Sequence, residues 1–133
     1  MSLVLPPKFS RILLLTSFGA LATISKAIEV GRKDCTILTT LLFITSVNYW
    51  REPRYGLRRN LDILVVILNL VGYAYTAFYF GVYIWYIYII LSIICYFRAR
   101  KQISPGRSVS WHAMIHILAN IGNVHMLSNT KIF

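Results

Sequence analysis

The fold is decided by the stretch ILVVILNLVGYAYTAFYFGVYIWYIYIILSIICYF, Ile63 to Phe97, whose 35 residues include no charged side chain. A membrane-spanning helix needs about 20 apolar residues, within a range of about 17–25. The stretch is therefore too long for one such helix and long enough for two. Gly81 is the glycine near its midpoint, so we predict a helical hairpin whose tip lies near Phe80–Val82.

The composition of the whole chain points to the same class of protein. Of the 133 residues, 57% are apolar and 14% are charged, whereas a soluble domain carries about 25% charged residues. A soluble fold needs polar side chains to cover its surface, and a disordered chain needs low hydrophobicity. The composition therefore argues against both classes and predicts an integral membrane protein.

Shorter charge-poor runs on both sides of the hairpin predict further membrane spans. The first run includes Lys26, whose long side chain can extend to the membrane surface. We predict an all-α fold, a polytopic transmembrane helix bundle of about five spans, or four if the first lies along the interface. Residues 1–133 form a single integral membrane domain without a soluble domain. The predicted spans are residues 12–31, 35–50, 61–79, 82–98 and 108–127.

Aromatic side chains cluster around the predicted hairpin tip. Tyr and Trp collect at membrane–water interfaces, because the ring is apolar and its polar tip favours water. We expect the cluster to anchor the hairpin at one interface, and an aromatic ligand or lipid pocket is the alternative. We expect Trp50, Tyr96 and Trp111 to form a second belt at the other interface. The cluster comprises Tyr73, Tyr75, Phe78, Tyr79, Phe80, Tyr83, Trp85, Tyr86 and Tyr88.

Basic residues are distributed unequally between the two predicted sides of the membrane. The chain has 14 Lys and Arg against 4 Asp and Glu, and basic loops face the cytoplasm. The imbalance predicts a cytoplasmic N-terminus and a C-terminus on the opposite side, and it makes direct nucleic-acid contact unnecessary. One side carries ten basic residues, Lys8, Arg11, Arg51, Arg54, Arg58, Arg59, Arg98, Arg100, Lys101 and Arg107, and the other carries Lys26, Arg32, Lys33 and Lys131.

The N-terminus and the cysteines add smaller constraints. Pro6 and Pro7 are expected to delay the first helix until after them. No small-residue cleavage site follows, so the first span is predicted to act as an uncleaved signal anchor. Cys35 and Cys95 fall at opposite membrane faces, too far apart for a disulfide.

The second loop is the most distinctive polar stretch. Pro53 and Gly56 predict a turn. Arg58 and Asp62 are four residues apart and are expected to pair as the third span begins, where the helix dipole also favours an acid. The basic side chains here and after the fourth span are predicted to contact headgroups or partners. They are Arg51, Arg54, Arg58, Arg59, Arg98, Arg100, Lys101 and Arg107.

The last span carries a histidine pair. His112 and His116 are four residues apart on one helical face, a spacing that suits two imidazoles on one metal ion. With Asp62 they form a candidate metal site, and the alternative is that the histidines only reach headgroups. Further along, Gly122 and Ala119 are small enough to admit a neighbouring helix, and Asn120 and Asn123 are expected to form interhelical hydrogen bonds.

Ser46, Asp62 and the His112/His116 pair, in that order, resemble the motif of the superfamily of alkaline ceramidases and progestin/adiponectin-type receptors. The resemblance implies zinc held near the cytoplasmic ends of the spans. Two features depart from that family: no histidine follows Ser46, where Asn48, Tyr49 and Trp50 stand, and five spans are predicted instead of seven.

The second loop carries another resemblance. Its residues Trp50, Arg51, Pro53, Tyr55, Gly56, Arg58, Arg59 and Asp62 are similar to a motif in small polytopic membrane proteins of large DNA viruses. This resemblance implies a protein of a virion's inner membrane or of virus-modified host membranes, with membrane or capsid-type proteins as partners.

Three functions are compatible with the sequence. The first is a structural or assembly membrane protein whose basic face contacts partners or anionic headgroups, without a cofactor. The second is a small zinc-dependent lipid hydrolase that uses His112, His116 and Asp62 to activate a water. The third is a transporter or channel subunit, which needs polar residues along a path through the membrane. Asn69 and the threonines of the second span supply only a few. Five helices leave little room for a separate enzymatic domain, which favours the first.

Overall fold

The computed structural model describes residues 4–130, of which 83% are helical. The all-α prediction is confirmed, since no strand occurs within residues 4–130. Six helices follow one another along the chain: α1 (Pro7–Ser17), α2 (Ala20–Glu29), α3 (Lys33–Trp50), α4 (Leu57–Phe80), α5 (Ile84–Lys101) and α6 (Pro105–Ser128).

The first two helices form one rod with a tightened turn between them. At that turn the Phe18 N–H donates to Leu15 O, and the Gly19 N–H donates to Thr16 O. These bonds reach three residues back, as in a 3₁₀-helix. The expectation that the prolines delay the first helix until after both of them is wrong. The helix begins at Pro7, because the first helical position needs no N–H donor.

Two helical stretches are long and apolar enough to cross a membrane by length and composition. They are Pro7–Glu29, which joins α1 and α2, and Leu57–Phe80, which is α4. In each, 28% of the apolar window is buried inside the protein. A core helix of a soluble protein would be mostly buried, so these helices present apolar surface outward.

We call the joined α1/α2 and the single helices α3, α4, α5 and α6 the five rods of the bundle. The rods pack in an order that differs from their order in the chain. The α1/α2 rod contacts α3 on one side and α6 on the other, and α4 and α5 pack outside α3 and α6 respectively. α4 and α5 meet near the turn that joins them, where the Tyr86 hydroxyl donates to Ala74 O at 2.6 Å. The α1/α2 rod, α3 and α6 therefore form the inner part of the bundle.

Two clusters of buried side chains mark the two ends of the bundle. At the end we name the basic end, Leu13, Tyr49, Trp50 and Val109 of α1, α3 and α6 pack together. At the opposite end, which we name the turn end, all five rods contribute. The turn-end cluster comprises Ala27, Cys35, Tyr73, Ala77, Trp85, Met126 and Leu127.

The predicted hairpin tip is present in the structure. Gly81 ends α4 with a φ of 68°, a left-handed conformation that glycine adopts without steric cost. The Val82 N–H returns to Ala77 O at 2.9 Å and closes the turn. The aromatic cluster divides around this tip: Tyr73 and Trp85 are buried in the turn-end cluster and do not anchor the hairpin. The exposed members are Tyr75, Phe78, Tyr79 and Tyr83.

Helices α5 and α6 approach each other closely at Gly122. A Cβ added at Gly122 would lie 2.7 Å from Tyr88 Cβ, which confirms that this glycine admits a neighbouring helix. Cys35 and Cys95 are both free and buried, so the prediction that they form no disulfide is also confirmed.

We expect Gly122→Ala to destabilise the bundle by about 1–3 kcal/mol, the usual cost of overpacking, because Tyr88 Cβ is fixed to the α5 backbone. Gly72→Ala is the matched control: its added Cβ first meets Leu38 Cδ1, at 2.5 Å, the far end of a side chain that can rotate away. Denaturant unfolding of both variants in detergent measures the difference. A loss for Gly72→Ala as large as that for Gly122→Ala would contradict close α5–α6 packing.

Candidate functional site

Three segments that are distant in sequence meet at the basic end. The Val4 N–H donates to Pro53 O at 2.7 Å, which joins the N-terminal segment to the α3–α4 loop. The Ser108 hydroxyl donates to Ala99 O at 2.9 Å across the α5–α6 connection. Phe9 packs against the basic-end cluster. These contacts place at one end of the bundle the segments that carry the ten basic residues assigned by the sequence to one side.

The α3–α4 loop is held by its arginines. The Arg58 guanidinium donates to Glu52 O at 2.9 Å and to Asn48 O at 3.3 Å. The Glu52 carboxylate pairs with Arg54 at 2.7 Å and with Arg58 at 4.0 Å. The hydrogen bond from Arg54, with the charge of the neighbouring arginines, lowers the pKa of Glu52. Glu52 therefore remains ionised below the usual pH range of a glutamate.

Most basic side chains at this end project into solvent or toward aromatic rings. The Arg59 guanidinium lies 5.3 Å from the Tyr55 ring centre, and Arg98 lies 5.8 Å from that of Trp111. Aromatic rings orient a cation without neutralising it, so the positive charge stays available to a ligand. The exposed group comprises Lys8, Arg11, Arg51, Arg98, Arg100, Lys101 and Arg107, and Arg54, Arg58 and Arg59 are half-buried.

The turn end has a nearly balanced charge. Lys26 pairs with Glu29 at 3.3 Å, and Arg32 pairs with Asp34 at 2.9 Å. Lys33 is exposed beside them. Lys131, the fourth basic residue predicted on this side, lies outside the described residues.

Asp62 is placed differently from its prediction. It is the sixth residue of α4, beyond the first turn, which carries no acid. Its carboxylate accepts from the Ser46 hydroxyl at 2.8 Å and from Thr45 at 3.4 Å. The predicted Arg58–Asp62 pair is wrong, because the guanidinium turns back to the carbonyls of the α3–α4 loop. Ser46 and Asp62, which the ceramidase-type motif groups together, do meet across the α3–α4 interface.

The histidine pair lies inside the bundle. The ring centres of His112 and His116 are 5.2 Å apart, and Trp50 stands 5.1 Å from the first and 6.5 Å from the second. Thr16 of α1 is hydrogen-bonded to His116 Nδ1 at 2.7 Å. Trp50, with 6% exposure, is a core residue, so its predicted place in an interfacial belt is wrong.

The geometry does not join Asp62 to the histidines as one metal site. Within residues 4–130, no group of three or more His, Cys, Asp and Glu side chains is close enough to hold a metal ion. The Asp62 carboxylate is bonded to α3 hydroxyls, and His116 is bonded to α1. Zinc bound by His112, His116 and Asp62 stays a prediction that these contacts do not support.

The buried polar side chains instead form bonds between helices. Asn120 of α6 accepts from Thr23 at 2.7 Å, and Asn123 accepts from the Trp85 indole at 2.8 Å. Both interhelical bonds that the sequence predicts for these asparagines are confirmed. Across the α3–α4 interface, Thr39 and Tyr73 share a hydrogen bond of 2.6 Å.

The sequence gives no direct indication of some partners in these bonds. Thr16, Thr23 and Thr39 sit in apolar runs where a threonine commonly bonds its own helix. For two of them the sequence gives one signal: Thr16 and Thr23 are seven residues apart, which places both on one helical face.

Comparison with known proteins gives no match: no family model, no curated protein and no solved structure matches the chain. Both resemblances drawn from motif residues therefore stay predictions.

We expect Thr16→Val to destabilise the bundle by about 1 kcal/mol, the scale of interhelical hydrogen bonds in membrane proteins, because His116 Nδ1 loses its partner. Thr40→Val is the matched control, since the Thr40 hydroxyl donates to Thr36 O within its own helix. Unfolding in detergent compares the two. If Thr40→Val costs as much as Thr16→Val, the α1–α6 bond contributes no interhelical stability.

Proposed function

We propose that the chain is an integral membrane protein that crosses the bilayer with five rods and has a structural or assembly role. Its basic end faces the cytoplasm and binds anionic lipid headgroups. The observation that carries this proposal is the separation of charge: the segments with ten basic residues lie at one end, while at the other end Lys26 and Arg32 pair with acids and leave Lys33 as the one described base outside an ion pair.

The lengths of the rods support five crossings. A helix rises about 1.5 Å per residue and the hydrocarbon core is about 30 Å thick, so a crossing needs about 20 residues. The rods contain between 18 and 24 residues, with α1 and α2 counted as one. The aromatic and basic side chains at their ends suit the interfacial regions.

Helix α6 suits a membrane because of how its polar and apolar side chains are distributed around its axis, which average hydropathy does not reflect. Its two central amides are turned inward, where Asn120 and Asn123 form hydrogen bonds to other helices. Its outward stripe is apolar, with Met114, Ile117 and Ile121 between 41% and 48% exposed. A helix with satisfied polar groups inside a bundle and apolar groups outside suits a bilayer.

Helix α3 has the same arrangement. Thr39 and Ser46 face α4 through hydrogen bonds, while Ile37, Leu41 and Ile44 are exposed. Lipid tails provide an environment for these exposed apolar side chains, whereas water would penalise them.

The use of the polar groups favours a structural role over catalysis. Ser46, Asp62 and His116 are hydrogen-bonded to neighbouring helices, and none of these bonds joins the histidines to the carboxylate. The basic end, by contrast, holds its charge at the surface. Anionic headgroups can bind several flexible cations at once. Each Lys or Arg near an anionic membrane surface contributes about 1 kcal/mol to the free energy of binding.

The headgroup role predicts a lipid preference that depends on the basic end. In bilayers of mixed composition, spin-labelled phosphatidylglycerol should be immobilised beside the protein in preference to phosphatidylcholine, and high salt should weaken this preference. Neutralising three cations of the last α5 turn (Arg98→Gln, Arg100→Gln, Lys101→Gln) should lower it about fivefold or more.

The matched control for this experiment is Lys26→Gln with Lys33→Gln, which removes charge from the turn end and should leave the preference near its original value. If the triple variant retains the full preference for phosphatidylglycerol, the basic end does not serve headgroups. An acidic protein partner then becomes the better explanation.

The orientation can be tested by cysteine labelling. We expect a cysteine at the fully exposed Ile103, in the α5–α6 connection, to react with a membrane-impermeant maleimide only after bacterial spheroplasts are permeabilised. A cysteine at the exposed Tyr83 should react in intact spheroplasts. Native Cys35 and Cys95 are buried and supply a low background. Labelling of both sites from the same side would contradict five crossings.

A further inference from the structure

A pocket at the turn end is separate from the basic end. It has a volume of about 370 Å³ and lies between the start of α3 and the last turns of α4. Pockets of about 300–1,000 Å³ are typical of small-ligand sites. The lining residues are Arg32, Tyr75, Thr76, Tyr79 and Phe80.

Arg32 supplies the positive charge of this pocket. Its side chain is 18% exposed, and one terminal nitrogen pairs with Asp34 at 2.9 Å. Its Nε is buried and has no hydrogen-bond partner within residues 4–130. Because Nε is buried, the terminal nitrogens of the guanidinium are the ones left for a ligand, and they form charge-assisted hydrogen bonds to a phosphate or carboxylate.

Aromatic rings form the other wall. Tyr75 and Tyr79 are nearly parallel with centres 6.4 Å apart, and Phe80 meets Tyr79 edge to face at 5.0 Å. Both tyrosines are about 70% exposed. Ring faces carry negative potential and attract cations, quaternary ammonium groups above all. The guanidinium of Arg32 already lies 5.1 Å from the Phe80 ring centre.

The surroundings favour a ligand without net charge. Asp34 beside Arg32 would repel a simple anion, and Lys26 is already paired with Glu29. A ligand with both a phosphodiester and an ammonium group matches the guanidinium, the carboxylate and the ring faces together. The exposed tyrosines also place the pocket at the depth where lipid headgroups lie, given the membrane embedding proposed above.

We propose that this pocket binds the zwitterionic phosphocholine headgroup of a lipid in the leaflet opposite the basic end. Arg32, oriented by the Phe80 ring, holds the phosphate, and the exposed rings of Tyr75 and Tyr79 hold the quaternary ammonium. The site makes a specific, saturable contact, unlike the general attraction of anionic headgroups at the basic end. The proposal rests on the membrane embedding and not on the role assigned to the basic end.

The experiment uses the full chain in maltoside micelles and titrates it with dihexanoyl-phosphocholine, with thermal unfolding as the readout. A ligand that binds the folded state raises its unfolding temperature in a saturable way. Dihexanoyl-phosphoglycerol, inorganic phosphate and free choline, each titrated separately, distinguish the whole headgroup from its parts. We expect saturable stabilisation by the phosphocholine lipid and at least about tenfold weaker binding of the other three.

Paired variants separate a pocket from general aromatic anchoring. Arg32→Gln and Tyr79→Leu should each weaken phosphocholine binding about tenfold, whereas Tyr79→Phe should retain it because the ring face remains. Tyr83→Leu is the control, since Tyr83 is another exposed tyrosine near the same turn that does not line the pocket. Lys33→Gln is the matched control for charge. The unfolding temperature without lipid verifies that each variant is folded.

Several results would overturn the proposal: no saturable stabilisation, equal affinity for phosphoglycerol or inorganic phosphate, or an equal loss in Tyr83→Leu and Tyr79→Leu. Its failure is distinguishable from failure of the headgroup role at the basic end. The triple variant of α5 should leave phosphocholine binding unchanged, and Arg32→Gln should leave the preference for phosphatidylglycerol unchanged.

Discussion

The polar side chains of α6 determine how the other helices are arranged. A helix that carries His116, Asn120 and Asn123 can lie in an apolar medium only if each of these groups finds a partner. Thr16, Thr23 and Trp85 provide those partners. They lie on the α1/α2 rod and on α5, so α6 must pack between these two elements. α3 then covers the other side of α1/α2, and α4 covers α3. The apolar surfaces that remain face outward.

The sequence predicts much of the fold because charge-free runs and glycine positions record where helices begin and end. The turn at Gly81 and the small residue at Gly122 belong to this class, since each is a local requirement. The rotation of each helix about its axis is harder to predict from the sequence. Aromatic residues are common both at interfaces and in cores, so composition alone does not distinguish the buried Trp85 from the exposed Tyr83.

The candidate site shows the same difference between local and long-range information. The number of predicted spans is enough to assign ten basic residues to one end. The hydrogen bonds of Asn120 and Asn123 are expected because a buried amide needs a partner. The partner of Asp62 does not follow, because an i, i+4 spacing makes Arg58 an attractive candidate while the folded loop offers that arginine two carbonyls. The hydroxyl of Ser46 comes from another helix, and only the packing of α3 against α4 identifies it.

The bonds between α1/α2 and α6 have a consequence for biosynthesis. Thr16 and His116 are separated by 100 residues, and Thr23 and Asn120 by 97. The ribosome must therefore synthesise about 100 residues after Thr16 before His116 can meet it, and contacts of such long sequence separation slow folding. Until then the hydroxyls of Thr16 and Thr23 can form hydrogen bonds only within their own helices. During that time α3 can pack against the α1/α2 rod without α6. Helix α6, which is synthesised after the five helices before it, closes the bundle, so truncation within α6 removes contacts with α1, α2 and α5 and not a peripheral segment.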